Sequence, residues 1–280
     1  MHFISYKQLA EDVKAFAPQL GEIGFVIGIP RSGLIPAAML ALFKNAKLGT
    51  IYDNTAIFIS GGDRDTKTKT RRLLFLDDSV DSGTTMNKIA ATVSPLKTIG
   101  YEVERACMYA SEEGKVFVNH YFKVLEGQRV FEWNLFHHKI LENSCVDIDG
   151  VICREIRGEE IDDEGDGFEY RKFIRTAERI VRPRYTIHSL VSARTEKWRT
   201  DTSIWLVNNG IGFENLVLPV ERYHSDEEKA KFKADYYEKS GTELFIESSD
   251  DIGRMINEFT GRPVIATDTM KLYDSPKRTA

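Results

Sequence analysis

Apolar and polar positions along this chain follow two alternating periods, and the switches between them mark out its elements. Tyr6 to Leu20 repeats apolar residues at helical spacing, and "IGFVIGIP" (Ile23 to Pro30) is a short β-branched run stopped by glycine and proline, as a buried strand is. Helical spacing returns over Gly33 to Phe43, strand character over Leu48 to Asp53, and "RLLFLDD" (Arg72 to Asp78) is a further strand. Thr84 to Gly100 reads as a helix with Gly100 as its stop, and Tyr101 to Ala110 as the next strand. After Val130 to Phe136 the pattern restarts at "SCVDIDG", with more strands at Thr186 to Ala193, Glu214 to Pro219 and Glu243 to Ser248. Strands alternating with helices predict mostly parallel sheets. The expected fold class is α/β: two domains, residues 1–138 and 139–280, each a mostly parallel sheet flanked by helices, parted near His137 to Glu142.

Length agrees with two domains, since 280 residues exceed one average domain and fall short of three. The formal net charge of -5 argues against general nucleic-acid affinity. Cys107, Cys145 and Cys153 are few, odd in number and without metal-ligand spacing, which predicts reduced core thiols. "MHFISYKQLAEDVKAF" mixes charge into its apolar residues, unlike a secretory leader, and no apolar run nears the roughly 20 residues that span a bilayer. The expectation is a cytoplasmic protein without a membrane span.

The chemistry starts at "LLFLDDSVDSGTTM" (Leu73 to Met86), where two acids close an apolar run and a Ser/Gly/Thr turn opens a helix. Ligands of open parallel sheets sit beyond the carboxyl ends of strands, and a turn with free N–H groups at a helix start binds anions. Gly83 lets the backbone come close, and Ser82, Thr84 and Thr85 add hydroxyl donors. Asp77 and Asp78 repel a phosphate but accept hydrogen bonds from sugar hydroxyls, directly or through Mg²⁺. A phosphate beside vicinal hydroxyls describes a ribose 5-phosphate. The bland alternative is a solvated strand end followed by a helix cap.

This stretch resembles the ribose-phosphate loop of the type I phosphoribosyltransferases. The resemblance implies that Asp77 and Asp78 bind the ribose hydroxyls of phosphoribosyl pyrophosphate, and that Asp81, Ser82, Gly83, Thr84 and Thr85 bind its 5-phosphate. "GIPRSG" (Gly28 to Gly33) lies where that family keeps its pyrophosphate loop, which implies pyrophosphate contacts from Arg31, Ser32 and Gly33. Gly61 to Arg72 lies where the family keeps a mobile loop, making Arg64, Lys67 and Lys69 candidates. Asp81 occupies the position of an acid that in some members takes a proton from the nucleophile; otherwise it is a helix N-terminal acid.

"SCVDIDGVIC" (Ser144 to Cys153) holds the second site. Asp147 and Asp149 stand two apart, so in an extended strand both carboxylates face one side, and together they favour a hard cation such as Mg²⁺. One carboxylate then attacks phosphorus while the other protonates the leaving oxygen. The stretch resembles the first motif, Asp-x-Asp-Gly, of the haloacid dehalogenase superfamily, and later motifs follow in order. "SLVSAR" implies a phosphoryl contact from Ser192. "KFKADYYEKS" implies a neutralising lysine, Lys233, with Lys229 and Lys231 as rivals. "LFIESSDD" implies metal binding, with Glu247 where the superfamily usually has aspartate, so the implied ligand set is Asp147, Asp149 and Glu247; Asp251 assists through water or simply begins a helix. Cys153 to Arg184 has room for only a small charged insertion, which leaves the expected site open to a large substrate.

The domain order resembles the dual-domain ribofuranosyltransferases of bacterial surface-polysaccharide assembly. That resemblance implies phosphoribosyl pyrophosphate as donor, a glycan hydroxyl on a lipid carrier as acceptor, and later hydrolysis of the residual 5-phosphate. Two other readings stand beside it: a nucleobase phosphoribosyltransferase fused to a nucleotide-recycling phosphatase, and a nucleotide-sensing regulator without turnover. Trp133 and Trp198 are platforms for an acceptor or else core residues.

Overall fold

The computed structural model describes residues 1–59, 70–158 and 167–274. Two compact units divide the chain, one of His2–Trp133 and one of Asn134–Ala280 joined by Met1.

The first unit runs β1 (His2–Ile4), α1 (Tyr6–Phe16), β2 (Phe25–Gly28), α2 (Leu34–Lys44), β3 (Lys47–Tyr52), β4 (Thr55–Ile59), β5 (Arg72–Val80), α3 (Thr84–Lys88), α4 (Ala90–Thr98), β6 (Glu102–Ala110), β7 (His120–Val124) and β8 (Arg129–Phe131). Six strands form one sheet in the order β4-β3-β2-β5-β6-β7, parallel except for β4, and β1 pairs with β8 apart from it. Leu73 to Leu76 are all buried because α1 and α2 cover one face of the central strands while Met86 and Ile89 cover the other. Ser5 caps α1 by accepting the Gln8 N–H at 3.2 Å. Helical spacing continues to Leu20, but Pro18 has no N–H to bond back along an α-helix, and Ala17–Leu20 tightens into a 3-10 turn. The long helix expected from Thr84 to Gly100 is two helices broken at Ile89, with Pro95 inside the second.

Because β2 lies between β3 and β5, successive connections leave the sheet in opposite directions there. The turn after β2 packs against β5 at this switch point. Gly33 shows how closely: a Cβ there would stand 2.7 Å from the carbonyl oxygens of Ile29 and Leu76.

The second unit runs β9 (Ser144–Val146), α5 (Phe168–Thr176), β10 (Ile187–Val191), α6 (Arg199–Asn208), β11 (Phe213–Val217), α7 (Asp226–Ser240), β12 (Leu244–Glu247), α8 (Asp250–Thr260), β13 (Val264–Ala266) and β14 (Lys271–Tyr273). Its sheet order is β11-β10-β9-β12-β13-β14, with only β14 antiparallel. The central strand β9 therefore ends between β10 and β12. Helix α7 is set by a capping box, Ser225 with Glu228, and it ends at Gly241 with φ 72°. Its buried stripe is Ala230, Lys233, Ala234 and Tyr237, a helical repeat that carries Lys233 inward with the apolar residues.

Candidate active sites

In the first unit β5 does not stop at the acids, as its apolar run suggests, but continues through them to Val80. Asp77 and Asp78 are consequently enclosed, and the Asp78 N–H donates to Asp77 Oδ1 at 2.9 Å. Burial, reinforced by Asp78 beside it, holds the Asp77 carboxyl well above the usual carboxylate range. Burial also raises Asp78, opposed by the hydrogen bond that Trp133 Nε1 donates to its Oδ2 at 2.6 Å.

Past Val80 the chain turns through Gly83, whose φ of 69° and close approach to the Phe117 ring leave no room for a Cβ. Ser79 to Met86 line a cavity of about 180 Å³, with the Ser82 and Thr84 hydroxyls 2.8 Å apart. Since α3 has only five residues, the loop's own N–H and O–H groups, more than a helix dipole, equip it for a phosphate. Beside it, Arg31 is exposed, Ser32 is half-buried and Gly33 is buried against Asp77. Arg64, Lys67 and Lys69 lie outside the described residues.

Two residues of this site have no motif to announce them. Arg129 Nη2 lies 3.0 Å from Asp81 Oδ1, and Trp133 reaches Asp78. Trp133 is half-buried and stacks on Phe131 at 9° and 5.0 Å, so its role combines packing with a polar contact.

In the second unit the sheet order brings Asp147, Ser192 and Glu247 to the ends of three neighbouring strands. Lys233 Nζ lies 2.8 Å from Asp147 Oδ2 and 2.7 Å from Glu247 Oε2, all three side chains being enclosed. Lys229 instead pairs with Asp226, and Lys231 is exposed. Burial and the nearby Glu247 charge push the Asp147 carboxyl well above its usual range, against the pull of Lys233. Ser192 is buried and its Oγ accepts the Arg194 N–H at 3.3 Å. Asp251 is exposed in the first turn of α8 and pairs with Arg254 at 3.5 Å.

Strand alternation is not what aims Asp149. β9 stops at Val146, and the chain turns at Gly150, with φ 76° and the Ile152 N–H donating to the Ile148 carbonyl at 2.9 Å. Both Asp149 oxygens accept from Arg194, Nε at 2.9 Å and Nη2 at 2.6 Å. The Arg194 side chain is fully enclosed, touching Thr202 and lying over the Phe173 ring. Its only sequence signal is a cation two residues after Ser192.

The expected set of three metal-binding carboxylates is not a bare cluster, and among the described residues no three His, Cys, Asp or Glu side chains converge for a metal. Lys233 stands between Asp147 and Glu247, and Arg194 takes both oxygens of Asp149. Hard oxygen donors and an excess of one carboxylate over the two enclosed cations still suit a divalent ion at Asp147 and Glu247. Asp149 keeps one lone pair on each oxygen beyond those that Arg194 takes.

Strand order, the glycine turn packed on Asp77 and the Ser79 to Met86 cavity define the class of the first unit as a mostly parallel α/β fold with a loop cavity at the carboxyl end of β5. The chain is 28% identical over 134 residues to the xanthine-guanine phosphoribosyltransferase of Gluconobacter oxydans, a match covering 42% of this chain and 74% of that protein. Among solved structures it is similar to the purine phosphoribosyltransferase of Pyrococcus horikoshii, at 25% identity and a TM-score of 0.35 over 48% of this chain and 94% of that one. The xanthine-guanine-hypoxanthine phosphoribosyltransferase of Helicobacter pylori matches 49% of this chain and 99% of its own, at 18% identity and a TM-score of 0.36. No family model matches the chain. The three cysteines are free and buried, and no helix among the described residues is long and apolar enough to cross a membrane.

Proposed function

We propose that the chain joins two chemistries, transfer of a 5-phosphoribosyl group from phosphoribosyl pyrophosphate in the first unit and hydrolysis of a phosphate monoester in the second. The observation that supports the first is the packing of the Gly33 turn on Asp77, two residues before the Ser79 to Met86 cavity begins. Asp77 and Asp78 accept from the ribose hydroxyls. The loop from Asp81 to Thr85 takes the 5-phosphate, Arg31, Ser32 and Gly33 take the pyrophosphate, and Asp81 takes a proton from the acceptor. Phosphate contacts orient C1 for attack, a use of remote binding energy.

In the second unit Asp147 is the nucleophile toward phosphorus, as its resemblance to haloacid dehalogenases implies. Lys233 neutralises the phosphoryl charge and Ser192 donates to a phosphoryl oxygen. Asp149, taking up a proton from solvent as Arg194 yields it, gives that proton to the leaving oxygen and takes it back from the water that hydrolyses the Asp147 acyl phosphate, freeing inorganic phosphate. Mg²⁺ held by Asp147 and Glu247 would supply further charge neutralisation at phosphorus when bound.

The sequence relative favours a purine-type base as acceptor, which replaces the glycan as the leading reading. A glycan hydroxyl stays as the second reading for one reason: the Asp147 site on the same chain would strip the phosphate from a nucleotide product, whereas a ribosylated glycan requires that removal. Pyrophosphate release from phosphoribosyl pyrophosphate and Mg²⁺ separates them. Guanine, xanthine and hypoxanthine form one set of acceptors, and galactose- or N-acetylhexosamine-ended glycans the other. Turnover with bases alone supports the first reading, turnover with glycans alone the second, and turnover with neither sinks the transferase.

A further inference from the structure

Arg129 stands where the fold has no need of it. β8 pairs with β1 through its backbone, and Val130 and Phe131 supply its buried contacts, whatever side chain occupies position 129. Arg129 Nη1 is shut away from solvent without a hydrogen-bond partner, the one such side-chain nitrogen or oxygen among the described residues. An enclosed N–H left unmade is a net cost to folding, so an apolar side chain would serve β8 better. The return on that cost lies at Asp81, 3.0 Å from Nη2.

Asp81 lines the phosphate-loop cavity with its side chain 74% exposed, while the Arg129 side chain is 11% exposed. A carboxylate so open samples several rotamers unless something rigid fixes it. A planar guanidinium held on a strand fixes one of them. Four residues on, the same segment delivers Trp133 Nε1 to Asp78 at 2.6 Å, so residues 129–133 reach both the ribose acids and the loop acid.

We propose that Arg129 is a positioning residue for phosphoribosyl transfer, holding the Asp81 carboxylate at the rim of the phosphate loop where it takes the acceptor's proton. This rests on the transferase reading above.

The test uses the full chain with Arg129→Met, Arg129→Lys, Asp81→Asn and the Arg129→Met/Asp81→Asn double variant. Pyrophosphate release is followed at saturating phosphoribosyl pyrophosphate with Mg²⁺ and guanine, xanthine, hypoxanthine or a galactose-ended glycan. Arg129→Met is expected to lower kcat about 10²-fold, the scale of one positioned acid–base group. KM for phosphoribosyl pyrophosphate should stay within about twofold, and Lys should restore part of kcat. In the Asp81→Asn background Arg129→Met should cost nothing further, because both act through one carboxylate. The melting temperature of Arg129→Met should equal or exceed that of the wild type, since the orphan N–H is gone. Unchanged kcat in Arg129→Met, losses that multiply in the double variant, or a fall in melting temperature alongside kcat would each overturn the role while leaving the transferase standing. A wild-type chain that transfers to no acceptor overturns both.

Discussion

Replacing Lys233 by Met removes a positive charge that lies 2.8 Å from Asp147 and 2.7 Å from Glu247 inside the second unit. Met keeps most of the aliphatic stem, so the loss is chiefly electrostatic and leaves two carboxylates enclosed side by side. Breaking a buried pair by removing one partner costs about 3–5 kcal/mol. At roughly 2–4 °C per kcal/mol for a domain of this size, the second unit should melt about 6–20 °C lower. The deficit has a definite dependence on pH. Asp147 already sits well above the usual range through burial and Glu247, and without Lys233 it rises further. The folded variant then keeps a proton that the unfolded chain gives up at about pH 4. A fold that binds more protons than the unfolded chain loses stability as pH rises, so the deficit should be larger at about pH 8 than at about pH 5. Circular-dichroism melts of the full chain at both pH values, with a separate transition fitted to each unit, measure this. A shift below about 2 °C at the higher pH, or a deficit that grows on acidification, refutes the buried triad.

Other consequences are equally direct. Asp78→Ala should stop pyrophosphate release while phosphate release from a preformed ribose 5-phosphate ester continues; loss of both would count against independent sites. Binding of phosphoribosyl pyrophosphate should weaken as pH falls from about 8 to about 5, because Asp77, raised by burial and by Asp78, must be ionised to accept both ribose bonds. Calorimetry in buffers of differing ionisation enthalpy should then show proton release on binding, and a flat affinity would contradict the shared burial. Gly33→Ala would set a Cβ 2.7 Å from two carbonyl oxygens, so the turn must shift and affinity for pyrophosphate should fall by at least about tenfold; wild-type affinity would show that the turn is no binding element.

What the chain made legible was its periodicity and its strand-end acids. The central strands β2, β5, β6, β10 and β12 are apolar enough to read directly, being covered on both faces. β1, β4, β8 and β14 lie at edges or in a small pair, where short runs carry no alternation to read. Lys233 could be chosen among three lysines only by the helix that turns it inward with Ala230, Ala234 and Tyr237. Arg129 and Arg194 drew no role from the sequence, and Trp133 was legible only as an acceptor platform or a core residue, for a shared reason. Each acts on an acid far away along the chain, at separations of 48, 55 and 45 residues, and only the fold closes those distances.

The most direct test of the two-site account is mass spectrometry of the products made by wild type and Asp147→Asn from phosphoribosyl pyrophosphate, Mg²⁺ and the acceptor panel. The expected result is a ribosylated acceptor from the wild type and the same acceptor still carrying its 5-phosphate from Asp147→Asn. Identical products from both proteins, or no product from Asp147→Asn, would contradict it.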